Sequence, residues 1–290
     1  MKTLKESLLA DVDDVLKSGD KIIKDSIKQW LKENLSKGIS GCKISKKPND
    51  KGLYEVSAKN NVVFKNKITS LTNDSFIWTE IHGDFLCNDC YSLKSLEGAP
   101  YTVGGDFSCS YCNSLTSLKG APDFVYGDFR CVCCSYLESL EGAPEHVNSF
   151  YCGSCNKLKS LKGCPKKIEG FLDCINCINL TSLEGCSEEV GSIRLNYTNL
   201  KNLHNAPKKV KYGFSCSYND NLISLEGCPK EIGGNFSITN CKNLNVFDDC
   251  PKIVGQDFYF EFNGYKITKD QITSKCKVQR NIFNNGKVII

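Results

Sequence analysis

From Gly83 onward the apolar positions of the chain follow one beat. The segment GDFLCNDCYSLKSLEGAP starting at Gly83 is followed by GDFSCSYCNSLTSLKGAP at Gly105, GDFRCVCCSYLESLEGAP at Gly127 and SFYCGSCNKLKSLKGCP at Ser149. It goes on as FLDCINCINLTSLEGCS at Phe171, SIRLNYTNLKNLHNAP at Ser192, GFSCSYNDNLISLEGCP at Gly213 and NFSITNCKNLNVFDDCP at Asn235. A period of about 22 residues is far longer than a helical or strand repeat and marks a stack of equivalent coils. Within a unit, Phe85 and Cys87 are two apart and share one strand face, while Leu86 points the other way. Leu93 and Leu96 serve the next side of the coil, and Gly98 and Pro100 turn the chain. Val103 starts the return, and Gly104 and Gly105 let it bend into the next strand. One coil cannot bury its own apolar edge, so the units must stack and the core becomes a set of vertical columns.

The apolar, apolar, Asn/Cys and apolar positions filled by Phe85, Cys87, Cys90 and Leu93 resemble the leucine-rich-repeat superfamily, with the longer spacing of its cysteine-containing repeats. The wording SLEGAP…VGGDF.C is similar to short repeats of tailed-phage and some other viral or bacterial reading frames. The resemblance covers roughly residues 60 to 265. It implies a mainly β, right-handed leucine-rich-repeat-like solenoid and a phage or viral source, and it leaves function open because one fold hosts many roles. Three units depart from the pattern. Leu195 and Thr198 replace both cysteines in the unit at Ser192, Ile238 takes the first cysteine position of the unit at Asn235, and DFYFEFNGYKI from Asp257 has lost the motif and reads as a closing coil.

A solenoid needs caps. Leu4, Leu8, Val12, Val15 and Leu16 are spaced as a helix over residues 3 to 17; Gly19 and Asp20 read as its stop and the next N-cap; Ile23, Ile27, Trp30, Leu31 and Leu35 stripe a second helix. These helices suit a cap on the first coil, and equally a docking or dimerisation module. The expected division is a helical head over 1–40, degenerate β coils over 41–82 carrying Leu53, Val56, Val62, Phe64, Ile68 and Leu71, the repeat array over 83–256, and a capping coil with a hairpin over 257–290. Asn285-Gly286 between apolar runs marks the hairpin turn.

Composition narrows the function. The chain has 290 residues, 40% of them hydrophobic and 24% charged, which is globular rather than disordered. The formal net charge of +4 is spread without a polybasic arm, which argues against nucleic acid. Asp11, Asp13 and Asp14 interrupt any apolar core of a signal peptide, and no stretch approaches the roughly 18 apolar residues of a membrane span. The expected location is the host cytoplasm or a virion.

Nineteen cysteines then need a reduced explanation. Five Cys-x-x-Cys pairs, Cys87/Cys90, Cys109/Cys112, Cys131/Cys134, Cys152/Cys155 and Cys174/Cys177, stand in register. Zinc between adjacent pairs and a ladder of disulfides are two readings. The favoured one is a buried, reduced ladder in which a small side chain brings its S–H toward a neighbouring carbonyl. Replacement by Leu195 and Ile238 at the first position, and by Thr198 and Asn219 at the second, favours it, because zinc would not accept those residues. Cys164, Cys186, Cys228 and Cys250 take the place of Ala99 in the turn as small apolar fillers.

No catalytic set emerges. His82, His146 and His204 fall in a linker and in turns, the glycines are punctuation rather than a phosphate cradle, and nothing asks for a cofactor. The expectation is a non-enzymatic protein-binding chain whose partner is a host or virion protein. Alternation places Leu86, Ser108, Arg130, Tyr151, Asp173, Arg194, Ser215, Ser237 and Tyr259 in one outward column. Arg130, Tyr151, Asp173, Arg194 and Tyr259 are its candidate partner-binding residues, since Arg and Tyr dominate interface hot spots. A second edge carries Lys166, Lys167, Lys208, Lys209, Lys211, Lys230 and Lys252, interrupted by Glu169, Glu188, Glu189 and Glu231, and reads as a solvated face. A structural role in an assembly anchored by the N-terminal helices is the alternative, with metal or nucleic-acid binding a third.

Overall fold

Every coil closes by handing its strand N–H groups to the carbonyls of the next, as Phe85 to Asp106 at 2.9 Å and Cys87 to Ser108 at 2.8 Å. The computed structural model describes residues 4–244, 248–261, 268–284 and 286–288, with side chains in the first helix described from Leu16 onward. It shows a β-solenoid of about 10 turns at ~22-residue spacing, as the period requires.

Two parallel ladders run up the stack. The first begins Val62–Val63, Phe85–Leu86, Phe107–Ser108, Phe129–Arg130 and Phe150–Tyr151, and ends Phe214–Ser215, Phe236–Ile238, Phe258–Phe260 and Ile282–Asn284. The second, which sequence reading reduced to a return segment, pairs Phe76–Ile81, Thr102–Val103 and Phe124–Val125 in one sheet, and after a break resumes with His146–Val147 and then Lys209–Val210, Glu231–Ile232, Ile253–Val254 and Lys277–Val278. At Lys167–Asp173 and Glu189–Arg194 a single strand crosses the corner and serves both ladders. His146 therefore lies on a strand, not in a turn as the sequence suggested.

The core is a set of columns. Phe85, Cys87, Cys90, Leu93, Leu96 and Val103 of one coil are all 0% exposed, and their equivalents are buried at each level. The rings of Phe85, Phe107, Phe129 and Phe150 stack with centroids 5.6, 5.0 and 5.4 Å apart. Each such side chain contributes on the order of 1.5–3 kcal/mol by leaving water. The turn after Leu96 uses Gly98 at φ 86, and the same glycine recurs up the stack. A Cβ on Gly120 would sit 2.3 Å from the Glu97 backbone nitrogen, so both conformation and space demand glycine there. Asn205, at φ 64, stands in where one unit lacks it.

The N-terminus corrects one expectation. A single helix, α1, spans Leu4–Asn34, so Gly19 is not a stop and Asp20 is not a cap. An interior glycine costs a helix only about 1 kcal/mol, which the packing of Ile27, Leu31 and Leu35 on the first coils exceeds. Asp20 instead accepts a hydrogen bond from Tyr54 Oη at 2.6 Å. Ahead of the array Val56, Val62, Phe64, Ile68 and Leu71 are buried and Leu53 is half-buried, and the segment begins as Cys42–Ile44 antiparallel to Tyr54–Ala58. A short helix, α2, at Lys269–Thr273 precedes the strand Lys277–Val278, which pairs with Ile253–Val254. The C-terminal hairpin pairs Phe283 with Val288 across a turn at Gly286; Asn285 lies outside the described residues, as do residues 262–267 of the segment read as a closing coil.

The cysteines stack as the period predicts, and the two positions of each pair differ. The second thiol donates to the main-chain carbonyl of the first cysteine one coil earlier: Cys112 to Cys87 at 3.0 Å, Cys134 to Cys109 at 3.2 Å, Cys155 to Cys131 at 3.1 Å, Cys177 to Cys152 at 3.1 Å and Cys241 to Cys216 at 3.3 Å. Where the second position is not cysteine it is still a donor. Asn219 Nδ2 reaches the Leu195 carbonyl one coil earlier at 2.9 Å, whereas Thr198 Oγ1 donates to that carbonyl within its own coil at 3.1 Å. At the first position the bonds are not repeated from coil to coil, with Cys87 donating to the Ser108 carbonyl at 3.3 Å and Cys152 meeting Cys174 Sγ at 3.5 Å, and the position admits Leu195, Ile238 and Phe260. Burial pushes the Cys131, Cys216 and Cys228 thiols well up, and Cys164 up to about 12. All nineteen cysteines are free thiols.

Candidate interaction surface

The outward column of the first ladder is continuous. Strand pairing puts Leu86 beside Ser108, then Arg130, Tyr151, Asp173, Arg194, Ser215, Ser237, Tyr259 and finally Phe283. Neighbours in the column are about 4.8 Å apart, the spacing of hydrogen-bonded strands.

Two flanking columns spend their polar groups on the stack itself. Asp84 accepts the N–H of Asp106 at 2.9 Å, and Asp106 accepts that of Asp128 at 2.9 Å. Asn235 does the same for Asp257 and Asp257 for Asn281, at 3.1 and 3.0 Å. On the other flank Asn88 accepts from Ser110 N at 3.0 Å and Asn196 from Ser217 N at 2.9 Å. The Gly-Asp beginning of the repeat is thus a side-chain ladder that satisfies main-chain donors, a duty legible in its recurrence but not assigned from sequence.

Between these flanks four of the five sequence-predicted residues come together. Arg130 pairs with Asp128 at 2.5 Å and faces Asp106 at 3.7 Å, and its guanidinium lies over the Tyr151 ring at 4.3 Å. Arg194 pairs with Asp173 at 3.4 Å and lies over the Phe171 ring at 4.4 Å. The two arginine side chains keep 38% and 44% of their surface in solvent. The result is a patch of two held cations, aromatic rings and three carboxylates. Asp106, Asp128 and Phe171 belong to it and were not singled out from sequence; Phe171 is outward because Leu172, not Phe171, takes the inward position. Tyr259 stands apart, beyond Ser215 and Ser237, stacked on Phe283 at 4.7 Å with its hydroxyl donating to Asp257. Ser108 is buried, donating to Asn88 at 2.5 Å.

The lysine edge lies along the second ladder. Lys166 meets Glu145 at 2.5 Å, Lys167 Glu169 at 3.0 Å, Lys208 Glu188 at 2.7 Å and Lys209 Glu189 at 2.6 Å, all exposed and mutually neutralising. Of these, Lys167, Glu169, Glu189 and Lys209 border a groove of about 870 Å³ floored by Gly191, Gly233 and Gly255. Added side chains there would collide with backbone oxygens of the coil below, so the trough follows from close coil packing. Exposed Tyr101 and Phe124 meet edge to face at 5.3 Å.

The histidines form no constellation with these groups: His82 contacts Glu80 at 3.8 Å and His204 contacts Glu226 at 3.3 Å, both on the surface. No helix among the described residues is long and apolar enough to cross a membrane. Comparison with protein families, with curated proteins and with solved structures finds no match.

Proposed function

We propose that the chain is a non-enzymatic, protein-binding repeat protein of leucine-rich-repeat-like type, phage- or virus-encoded, that engages a host or virion protein through the first-ladder face around Arg130, Tyr151, Asp173 and Arg194. The observation that carries the reading is the pair of arginines held flat over Tyr151 and Phe171 by Asp128 and Asp173. A guanidinium has five donors, and the pairs seen here leave several of them toward solvent while fixing the side chain in advance, which lowers the entropy lost on binding. A rigid stack with an extended open face is the form in which solenoids bind macromolecules. Tyr259 extends the same face toward the last coil.

The test is affinity capture with the tagged chain and with Arg130→Glu plus Arg194→Glu. A partner held by the parent chain and lost from the variant, with circular dichroism unchanged, supports the reading. Equal capture by both sinks it.

A second reading, a structural component of an assembly anchored by α1, draws on the exposed apolar residues Leu16 and Ile22 of that helix. Co-purification in particles that is lost on deleting residues 1 to 40 distinguishes it.

A further inference from the structure

The second-ladder edge changes character along the stack. Over its middle coils the exposed charges cancel in pairs, Lys166 with Glu145, Lys167 with Glu169, Lys208 with Glu188 and Lys209 with Glu189. Over the last coils the acids run out. Among the described residues Lys230, Lys252, Lys277 and Arg280 are exposed and in no ion pair, and Lys211 holds its ammonium over the Tyr212 ring at 5.0 Å. Lys230 and Lys252 are vertical neighbours, since the Lys252 N–H donates to the Lys230 carbonyl at 2.7 Å. Like charges set directly opposite one another on adjoining strands are destabilising, so this column stores a repulsion that nothing in the fold relieves.

The glycine-floored groove runs past these cations. Its wall is the row Glu189, Lys209, Glu231 and Ile253, paired level by level, and Lys211 stands in its floor between Gly191 and Gly233. The lining extends from Ile168 to Gln279 across six coils, and five spacings of about 4.8 Å make it about 24 Å long. An extended chain rises about 3.4 Å per residue, so about seven residues fill that length. A floor of glycines lets a main chain come close, which a floor of side chains would prevent.

Charge decides the kind of occupant. A nucleic-acid strand carries a charge on every phosphate and would set several of them against Glu189 and Glu231 in the wall. A peptide is free of that constraint, because it can place an acid beside each lysine and a neutral residue beside each glutamate.

We infer that this groove binds an extended, acid-rich segment of a protein partner, with its carboxylates on Lys211, Lys230, Lys252 and Lys277. The surface is separate from the face around Arg130 and Arg194, and either can stand if the other fails.

The test is fluorescence anisotropy with the full chain and a labelled peptide of alternating glutamate and serine, about eight residues long, beside an oligothymidylate of the same length. At about 50 mM salt the peptide binds with a Kd below about 100 µM, and the affinity falls as salt rises to about 300 mM. Lys211→Glu plus Lys252→Glu weakens binding about tenfold or more, while the melting temperature holds or rises because the second change removes the repulsion beside Lys230. Lys43→Glu plus Lys59→Glu, the same change of net charge on exposed lysines at the opposite end of the stack, leaves the affinity within about twofold. Glu231→Gln strengthens binding about two- to threefold. No peptide binding by the parent chain, equal weakening by the two double variants, weaker binding by Glu231→Gln, or an oligothymidylate held as tightly as the peptide overturns the inference.

Discussion

The division of labour within each cysteine pair can be tested by exchanging two residues of nearly equal shape. At Cys155 the thiol donates to the Cys131 carbonyl at 3.1 Å in a fully buried environment. Threonine keeps a hydroxyl donor there, whereas valine has the same outline and none. Valine therefore leaves a dry carbonyl poorly satisfied, a loss of about 1–3 kcal/mol relative to threonine. At Cys109, a first-position residue in the column that admits Leu195 and Ile238, the order inverts. Threonine there buries a hydroxyl without a designated partner, costing about 1–3 kcal/mol relative to valine. Urea denaturation of the four variants followed by far-ultraviolet circular dichroism reads the two differences, and because both comparisons are Thr against Val, the volume change cancels. Valine equal to or better than threonine at position 155, or the same order at both positions, refutes the hydrogen-bond ladder and leaves the second cysteine as mere filler.

Other expectations follow from the same geometry. Burial raises the Cys131, Cys164, Cys216 and Cys228 thiols, so the fold keeps them protonated while the unfolded chain ionises near 8.5; their contribution is whole below that pH and is lost as pH rises. By pH 9.5 each costs about 1.4 kcal/mol and the four together roughly 6, against a typical total of about 5–15, so a pH titration of stability should fall steeply from about 8.5 to 9.5 and a flat profile would contradict dry thiols. Cys133 sits at φ 59 and is only half-buried, so Cys133→Asn should stabilise by about 0.5–1 kcal/mol in a thermal melt, and a loss of stability would show that the bend is not strained. Gly120→Ala should destabilise by more than about 1 kcal/mol, because it meets both a left-handed conformation and the Glu97 backbone; a neutral result would show that the coils are looser than described.

The repeat made most of the fold legible because every column is written eight times. Phe85, Cys87 and Leu93 recur, so their inward positions needed no partner to be known, and the outward column from Leu86 to Tyr259 followed by alternation. What escaped was encoded by context. The second ladder rests on two-residue strands such as Thr102–Val103, too short for a period to show. Gly19 looked like a stop because local propensity points that way, but the burial of Ile27 and Leu31 and the Asp20–Tyr54 bond lie 8 to 34 residues off, and they decide the helix. In the candidate face, Arg130, Tyr151, Asp173 and Arg194 were placed as neighbours correctly, while Asp128 and Phe171, which hold the arginines, depend on side-chain directions that alternation alone does not fix. Tyr259 joined the set because it shares the column, though three coils separate it from Arg194.

Register between consecutive coils is the premise of every column named above, and a bridge between column neighbours measures it. Ser215 and Ser237 are paired residues of adjacent coils, and Tyr259 is one coil further on. Adjacent positions, about 4.8 Å apart, fall within the span of about 4.4–6.8 Å that a disulfide requires, and alternate coils do not. Mild oxidation of Ser215→Cys plus Ser237→Cys, followed by peptide mapping, should give the 215–237 bridge, while Ser215→Cys plus Tyr259→Cys should give none. Bridging in the second variant, or its absence in the first, would contradict the stack.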